Sequence, residues 1–300
     1  MKLAFLISAH TDAEHLNRLI KSLPQTAHFF VHIDSKSDIR PFTSMIAQEN
    51  VHFLTHRVNV VWGSINEVEY QVELLRAALS TGQFDYMISM SGLDYPIMGN
   101  KEMMRFFEEA QGRIFLQGIA MDQQGEAAHL YRQLRPLSSM PWKNGSLGSK
   151  LKVALRESLS KLGVQKTLVI HCPRKHYRLY KGAAWWAITP DLAGAVVGEW
   201  DHNEHLKGYF KTSFCPAETF IQTVAFNSEY ASRCMLSTGK YTTLSALTPL
   251  TYIHYHPVIK VLDETDYDTL LQSGKLFCRK TVSGTSDILL DKLDAYRKDR

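Results

Sequence analysis

The 300 residues are 45% hydrophobic, 21% charged and 11% aromatic, enough for one large or two small globular domains and incompatible with a disordered, fibrous or repeat architecture. Lys plus Arg (34) exceed Asp plus Glu (30) by four, and a pI near 8.7 is too mild for a nucleic-acid binder, so any basic site is local. The four cysteines, Cys172, Cys215, Cys234 and Cys278, show no CxxC spacing and signal neither a zinc site nor a disulfide framework.

Leu3 to Ser8 reads as a fully buried strand, and its apolar run ends at His10 and Asp12, too early for a signal peptide or a membrane span. With no targeting segment elsewhere, the expectation is a cytoplasmic protein, at most peripheral to the inner face of a membrane. Leu16, Leu19, Ile20 and Leu23 then recur at helical spacing; Phe29 to Ile33 is the next strand. After the polar loop Ser35 to Pro41 come a short helix, a strand at Val51 to Leu54, and a helix with Val68, Val72, Leu75 and Leu79 on one face, ended by Gly82. Tyr86 to Met90 is a fourth strand, and Ser91 to Pro96 reads as a turn because of its Gly and Pro. Such alternation predicts an α/β fold with a mostly parallel sheet, whose ligands bind at the carboxyl ends of the strands.

Gln123 to Gly148 reads mainly as loop. Lys150 to Leu162 predicts an amphipathic helix, with Leu151, Ala154, Leu155, Leu159 and Leu162 packed on the core and a solvated basic face; contact with anionic lipid is the rarer alternative. Trp185 to Thr189 reads as a strand, Pro216 to Asn227 as the start of a helix, and Tyr252 to Tyr255 as a late strand. No linker interrupts the chain, so a single domain over 1–300 is expected, with a nucleotide-binding half at 1–115 and an acceptor and catalytic half at 116–300.

Asp34 falls in the loop after the second strand, where a carboxylate can accept from a nucleobase N–H or a ribose hydroxyl; an Asx turn explains it equally well. Neither GxxxxGK[ST] nor GxGxxG occurs, which excludes an ordinary NTPase or dinucleotide enzyme. Glu218 stands among apolar and aromatic neighbours at a predicted helix start. Burial there raises a carboxyl pKa while the helix dipole holds it ionised, a combination that suits a general base, although a first-turn Glu that only favours the dipole is commoner. Lys275 to Lys280 interleaves cations with Leu276 and Phe277, a pattern that fits a pyrophosphate site or a solvated face. Asp266-Tyr267-Asp268 matches DxD in form but precedes an apolar helical turn, so capping is the stronger reading. The thirteen histidines, among them His10, His15, His32, His52, His56, His254 and His256, show no recognised ligand spacing; a metal-dependent hydrolase stands as the rival class.

Seven segments, in order, resemble the core-2/I-branching β-1,6-N-acetylglucosaminyltransferase family, which includes the peptide O-xylosyltransferases. They are Leu6 to His10, Val31 to Ser37, Val61 to Ser64, Ser91 to Ile97, Gly182 to Trp186, Pro216 to Phe220 with Gln222-Thr223 and Asn227-Ser228, and Leu276 to Lys280. The resemblance implies a GT-A-type fold and inverting transfer from a UDP-sugar donor to a glycan or lipid-linked glycan acceptor. It implies no cofactor and no divalent metal. Glu218 would be the catalytic base. Ser8, Asp34 and Trp62 would contact the donor, with Lys280 and either Arg279 or Lys260 neutralising its diphosphate; Asp94 and Trp186 would lie on the acceptor side. Ala184 occupies a position where the xylosyltransferase branch carries Asp, which favours GlcNAc as the sugar, whereas Pro216 to Phe220 is nearer the xylosyltransferase version and keeps UDP-xylose as the alternative. The aromatic that usually follows the family's lysine is missing after Lys280. The short N-terminus, without a Golgi anchor, fits a bacterial enzyme of surface-glycan synthesis.

Overall fold

The computed structural model describes residues 1–300 apart from Arg174, His256, Pro257 and Asp299; His256, weighed above as a ligand, therefore lies outside the described residues. The chain begins β1 (Leu3–Ala9), α1 (Ala13–Ser22), β2 (His28–Ile33), α2 (Arg40–Met45), β3 (Val51–Phe53), α3 (Asn66–Thr81), β4 (Tyr86–Ser91), β5 (Asp94–Pro96), α4 (Asn100–Glu109) and β6 (Gln117–Ala120). It continues α5 (His129–Arg132), α6 (Leu147–Lys161), β7 (Val169–His171), β8 (His176–Arg178), β9 (Tyr180–Lys181), β10 (Ala187–Ile188), α7 (Pro190–His202), α8 (Glu204–Phe210) and α9 (Phe220–Phe226). The last elements are β11 (Met235–Ser237), β12 (Thr251–Ile253), α10 (Tyr267–Gln272), β13 (Phe277–Arg279) and α11 (Asp287–Arg297).

The central sheet has the order β10-β4-β1-β2-β3, parallel except for β10, with Ile7 of β1 opposite Val31 of β2 and Met90 of β4. Strands buried on both faces are apolar throughout, as Leu3 to Ile7 are. Alternate residues then serve two cores: Ala4, Leu6 and Phe30 pack with Val68 and Val72 of α3 and Val196 of α7, whereas Phe5, Ile7 and Val31 pack with Leu16 and Leu19 of α1 and Leu293 of α11. The chain leaves β1 toward β2 on one side and has β4 on the other, so the switch point of the sheet lies at the carboxyl end of β1. No helix among the described residues is long and apolar enough to cross a membrane.

Two expectations are corrected. Asp94 to Pro96 is not merely a turn: it forms β5, antiparallel to β13 in a small sheet, β12-β13-β5, with Asp94 opposite Arg279. The 150–162 helix exists as α6, but none of its residues is buried. Its apolar Leu155 and Leu159 are no more than half-buried, and the core around α3 and α7 closes without any residue of α6.

Candidate active site

A cleft of about 710 Å³ opens at the switch point. Its floor comes from the ends of three parallel strands: Ser8 and Ala9 of β1, His32 and then Asp34 after β2, and Ser89 to Ser91 of β4. This edge is where a doubly wound sheet presents its ligands. Ser8, Asp34 and Trp62 all border the cleft, Trp62 at 78% exposure on its rim. Asp34 is both an Asx turn and a cleft residue. Its Oδ1 accepts from the Lys36 N–H (3.0 Å) and its Oδ2 pairs with Lys36 Nζ (2.8 Å). Burial works against its charge, but Lys36 and the backbone donors outweigh this and hold the carboxyl below its ordinary range.

Glu218 lines the same cleft from the segment before α9. It ends a 3-10 turn, Pro216–Glu218, that precedes α9, so it is not in the first turn of an α-helix and the dipole is not its counter-charge. That counter-charge is Lys181, whose Nζ lies 2.5 Å from Glu218 Oε2; the two side chains are 3% and 22% exposed. Burial opposes the ammonium, yet Glu218 and Tyr131 more than compensate and raise Lys181 above its ordinary pKa. Gly182 makes the approach possible. Its N–H donates to the Glu218 carbonyl (2.8 Å), and a Cβ there would meet the Gln117 carbonyl oxygen at 2.1 Å. Gln222 ties the same segments together by donating to the Ala183 carbonyl (2.8 Å). A second carboxyl, Glu67 at the start of α3, shares this wall and accepts from the Gly63 N–H (2.8 Å). Burial, reinforced by the charge on Glu218, pushes Glu67 up to about 7 against the pull of that N–H.

The third wall carries Arg279 and Trp185. Arg279 Nη1 donates to Asp94 Oδ1 (2.8 Å), Trp185 Nε1 donates to Asp94 Oδ2 (2.9 Å), and the guanidinium lies 4.8 Å from the Trp185 ring centroid. Asp94, with no exposed surface, therefore orients these two side chains from behind and does not itself line the cleft. Trp186, expected on the acceptor side, is in the core beside Leu192 and Val196; the alternation of an extended segment turns its neighbour Trp185 into the cleft instead. Lys260 does not join the wall either, because its ammonium is held 2.8 Å from Asp266. Lys280 is half-buried and absent from the lining, which leaves Arg279 as the cation of this segment that faces the cleft.

The histidines have other tasks. His32 Nε2 accepts from the Val58 N–H (2.9 Å), and burial lowers its pKa to about 4; His15 bridges the Gly92 carbonyl and Thr281 Oγ1. Among the described residues no three His, Cys, Asp or Glu side chains converge to hold a metal ion. Asp266, from the DxD-like run, closes a capping box with Asp263 before α10. Nothing in the sequence marks Lys181 or Glu67 as a site residue, and Trp185 stands there only in a predicted strand and in the Gly182 to Trp186 segment. Lys181 sits in a two-residue strand with no motif of its own, and only the neighbouring Gly182 hinted at a close backbone approach.

The family model for Core-2/I-Branching enzyme matches residues 3–266. The chain belongs to this family. Relatives include xylosyltransferase sqv-6 of Caenorhabditis briggsae, 22% identical over 251 residues, and human xylosyltransferase 2, 24% identical over 238. These alignments cover 81% and 76% of this chain but 28% and 25% of the relatives, so the chain spans about a quarter of the length of the proteins it matches. Among solved structures, core-mannan synthase A from Aspergillus fumigatus aligns over 79% of this chain and 72% of that one at 9% identity, with a TM-score of 0.38.

Proposed function

We propose that this member of the family transfers a sugar from a UDP-sugar to a hydroxyl of a glycan acceptor, with inversion at the anomeric carbon, Glu218 as general base and no divalent metal. The observation that carries the reading is the Lys181–Glu218 pair in the wall of a cleft whose other sides hold Asp34 and Arg279.

A general base has to be held where the acceptor hydroxyl arrives, and the ion pair with the buried Lys181 ammonium fixes one oxygen of the Glu218 carboxylate in the cleft wall. The acceptor oxygen attacks the anomeric carbon from the face opposite UDP and its proton passes to Glu218, while the bond from that carbon to the phosphate oxygen breaks and its electrons leave with UDP. One displacement needs one carboxylate, unlike the paired carboxylates of most retaining glycosidases. Negative charge growing on the diphosphate is met by Arg279, whose orientation Asp94 fixes, and such a preorganised cation is worth most in the transition state. Asp34 offers a carboxylate to the uridine. Trp185, Tyr131 and Tyr241 give the cleft aromatic surface for an acceptor sugar.

Ala184 supports GlcNAc as the donor sugar: it lies in the cleft wall with a methyl group where the resemblance puts a carboxylate in xylosyltransferases, leaving room for an N-acetyl substituent. UDP-xylose is the second reading, favoured by the matches to named xylosyltransferases. Thermal unfolding with a panel of UDP-sugars, with and without EDTA, tests both. A ligand at 100 times its Kd stabilises by about 2.7 kcal/mol. We expect the largest shift and the fastest hydrolysis with UDP-GlcNAc, unchanged by EDTA. A larger response to UDP-xylose reassigns the donor, and abolition of both by EDTA contradicts metal independence.

A further inference from the structure

Residues 129–166 carry eight Lys and Arg against one acid, Glu157, although the whole chain has 34 against 30. The basic excess of the protein is thus concentrated in one excursion, and the remainder is slightly acidic. That one acid is paired with its neighbour Arg156 at 2.8 Å. The same stretch holds eight of the fifteen large apolar side chains that are exposed among the described residues.

Both features meet on α6. Leu147, Leu151 and Leu162 are 86%, 58% and 78% exposed, and at helical spacing, with Ala154 between them, they form one outward stripe. Lys150 and Lys161, eleven residues apart, flank the stripe on one side, and exposed Lys143 precedes it. A helix that faces water over its whole outer surface gains nothing from three leucines there, whereas an apolar stripe edged by cations complements the boundary between acyl chains and anionic headgroups. We propose that α6 is a membrane-docking surface that lays this chain on an anionic lipid bilayer. The site of docking adjoins the cleft: Leu130, near the start of this excursion, is exposed and lines it, and Arg135 stacks 4.3 Å from the ring of Phe214, another cleft residue. On the transfer reading above, this places the cleft mouth at headgroup level and suits an acceptor carried on a lipid.

Flotation of the full chain with vesicles tests the proposal independently of catalysis. Vesicles of phosphatidylglycerol and phosphatidylcholine should carry the protein, pure phosphatidylcholine should not, and 0.5 M salt should weaken binding. Lys150→Ala/Lys161→Ala should lower partitioning about fivefold per lysine, and Leu147→Glu/Leu151→Glu should abolish it, both with unchanged unfolding temperature and unchanged hydrolysis of UDP-sugar. Equal binding to both vesicle types, no binding to either, or variants that bind like the parent would overturn it. So would light scattering showing a dimer that Leu147→Glu/Leu151→Glu dissolves, since a second copy would then be the partner of the stripe. Loss of vesicle binding with UDP-sugar recognition intact separates failure here from failure of the transferase reading.

Discussion

Glu218→Gln removes the charge of one partner of the Lys181–Glu218 pair while keeping its shape, and it leaves an ammonium with 3% exposure facing an amide. Breaking a buried ion pair from one side typically costs about 3–5 kcal/mol. Here the cost should be about 2–3 kcal/mol, because the Gln oxygen and the Gly182 carbonyl, 3.2 Å away, still accept from Lys181 Nζ. For a chain of this size that is a fall of roughly 3–5 °C in unfolding temperature. Lys181→Met leaves Glu218, 22% exposed and reachable by cleft water, and should cost less. The double variant should regain most of the stability lost in Glu218→Gln, since no buried charge is left unpaired, yet should transfer no sugar. The pH dependence has a definite sign. In the parent, Lys181 is raised above its ordinary value, so its contribution is complete below the unfolded pKa and is lost only as pH rises through the folded one. In Glu218→Gln, burial without a counter-ion lowers the folded pKa, the unfolded state binds more protons, and stability should rise with pH. Unfolding of the four proteins of the cycle at pH 7 and 9.5 is the assay. Strictly additive effects, or a Glu218→Gln deficit that widens at pH 9.5, would refute the argument.

Glu67, raised to about 7 from an ordinary 4.5, destabilises the fold once ionised, so Glu67→Gln should gain up to about 3 kcal/mol over the parent at pH 8 and nothing near pH 4.5, read by urea unfolding. Asp34→Ala should weaken UDP about tenfold or more by calorimetry, the worth of a hydrogen bond to a charged group. Arg279→Lys keeps a cation beside buried Asp94 but loses the planar fork, and should raise the Kd for UDP about tenfold; Lys260→Ala, already committed to Asp266, should leave it within about twofold. A reversed order of these two effects would move the diphosphate site to Lys260.

The sheet was legible because its strands are mostly apolar runs separated by helical spacing, and strand order then puts Ser8 and Asp34 at the ligand edge. What could not be read are facts of long-range register. Asp94 meets Arg279 only because β5 pairs with β13 across 185 positions of chain, and a local reading of Gly92 and Pro96 sees a turn. Which tryptophan of Trp185-Trp186 faces the cleft depends on the parity of the short segment that leads into the two-residue strand β10, too short to leave a pattern. The periodicity of α6 correctly indicates a helix, but its burial depends on neighbours: the core around α3 and α7 closes without it. Lys181 is anchored by the geometry of Gly182 and the turn before α9, which no spacing in the chain announces.

The central claim is a single displacement at the anomeric carbon with Glu218 as the proton acceptor. It is tested most directly with water as the acceptor, by time-resolved proton NMR of the sugar first released from an α-linked UDP-sugar in EDTA. The β anomer should appear before mutarotation sets in, and Glu218→Gln should release none. Initial release of the α anomer, or undiminished release by Glu218→Gln, would contradict the account.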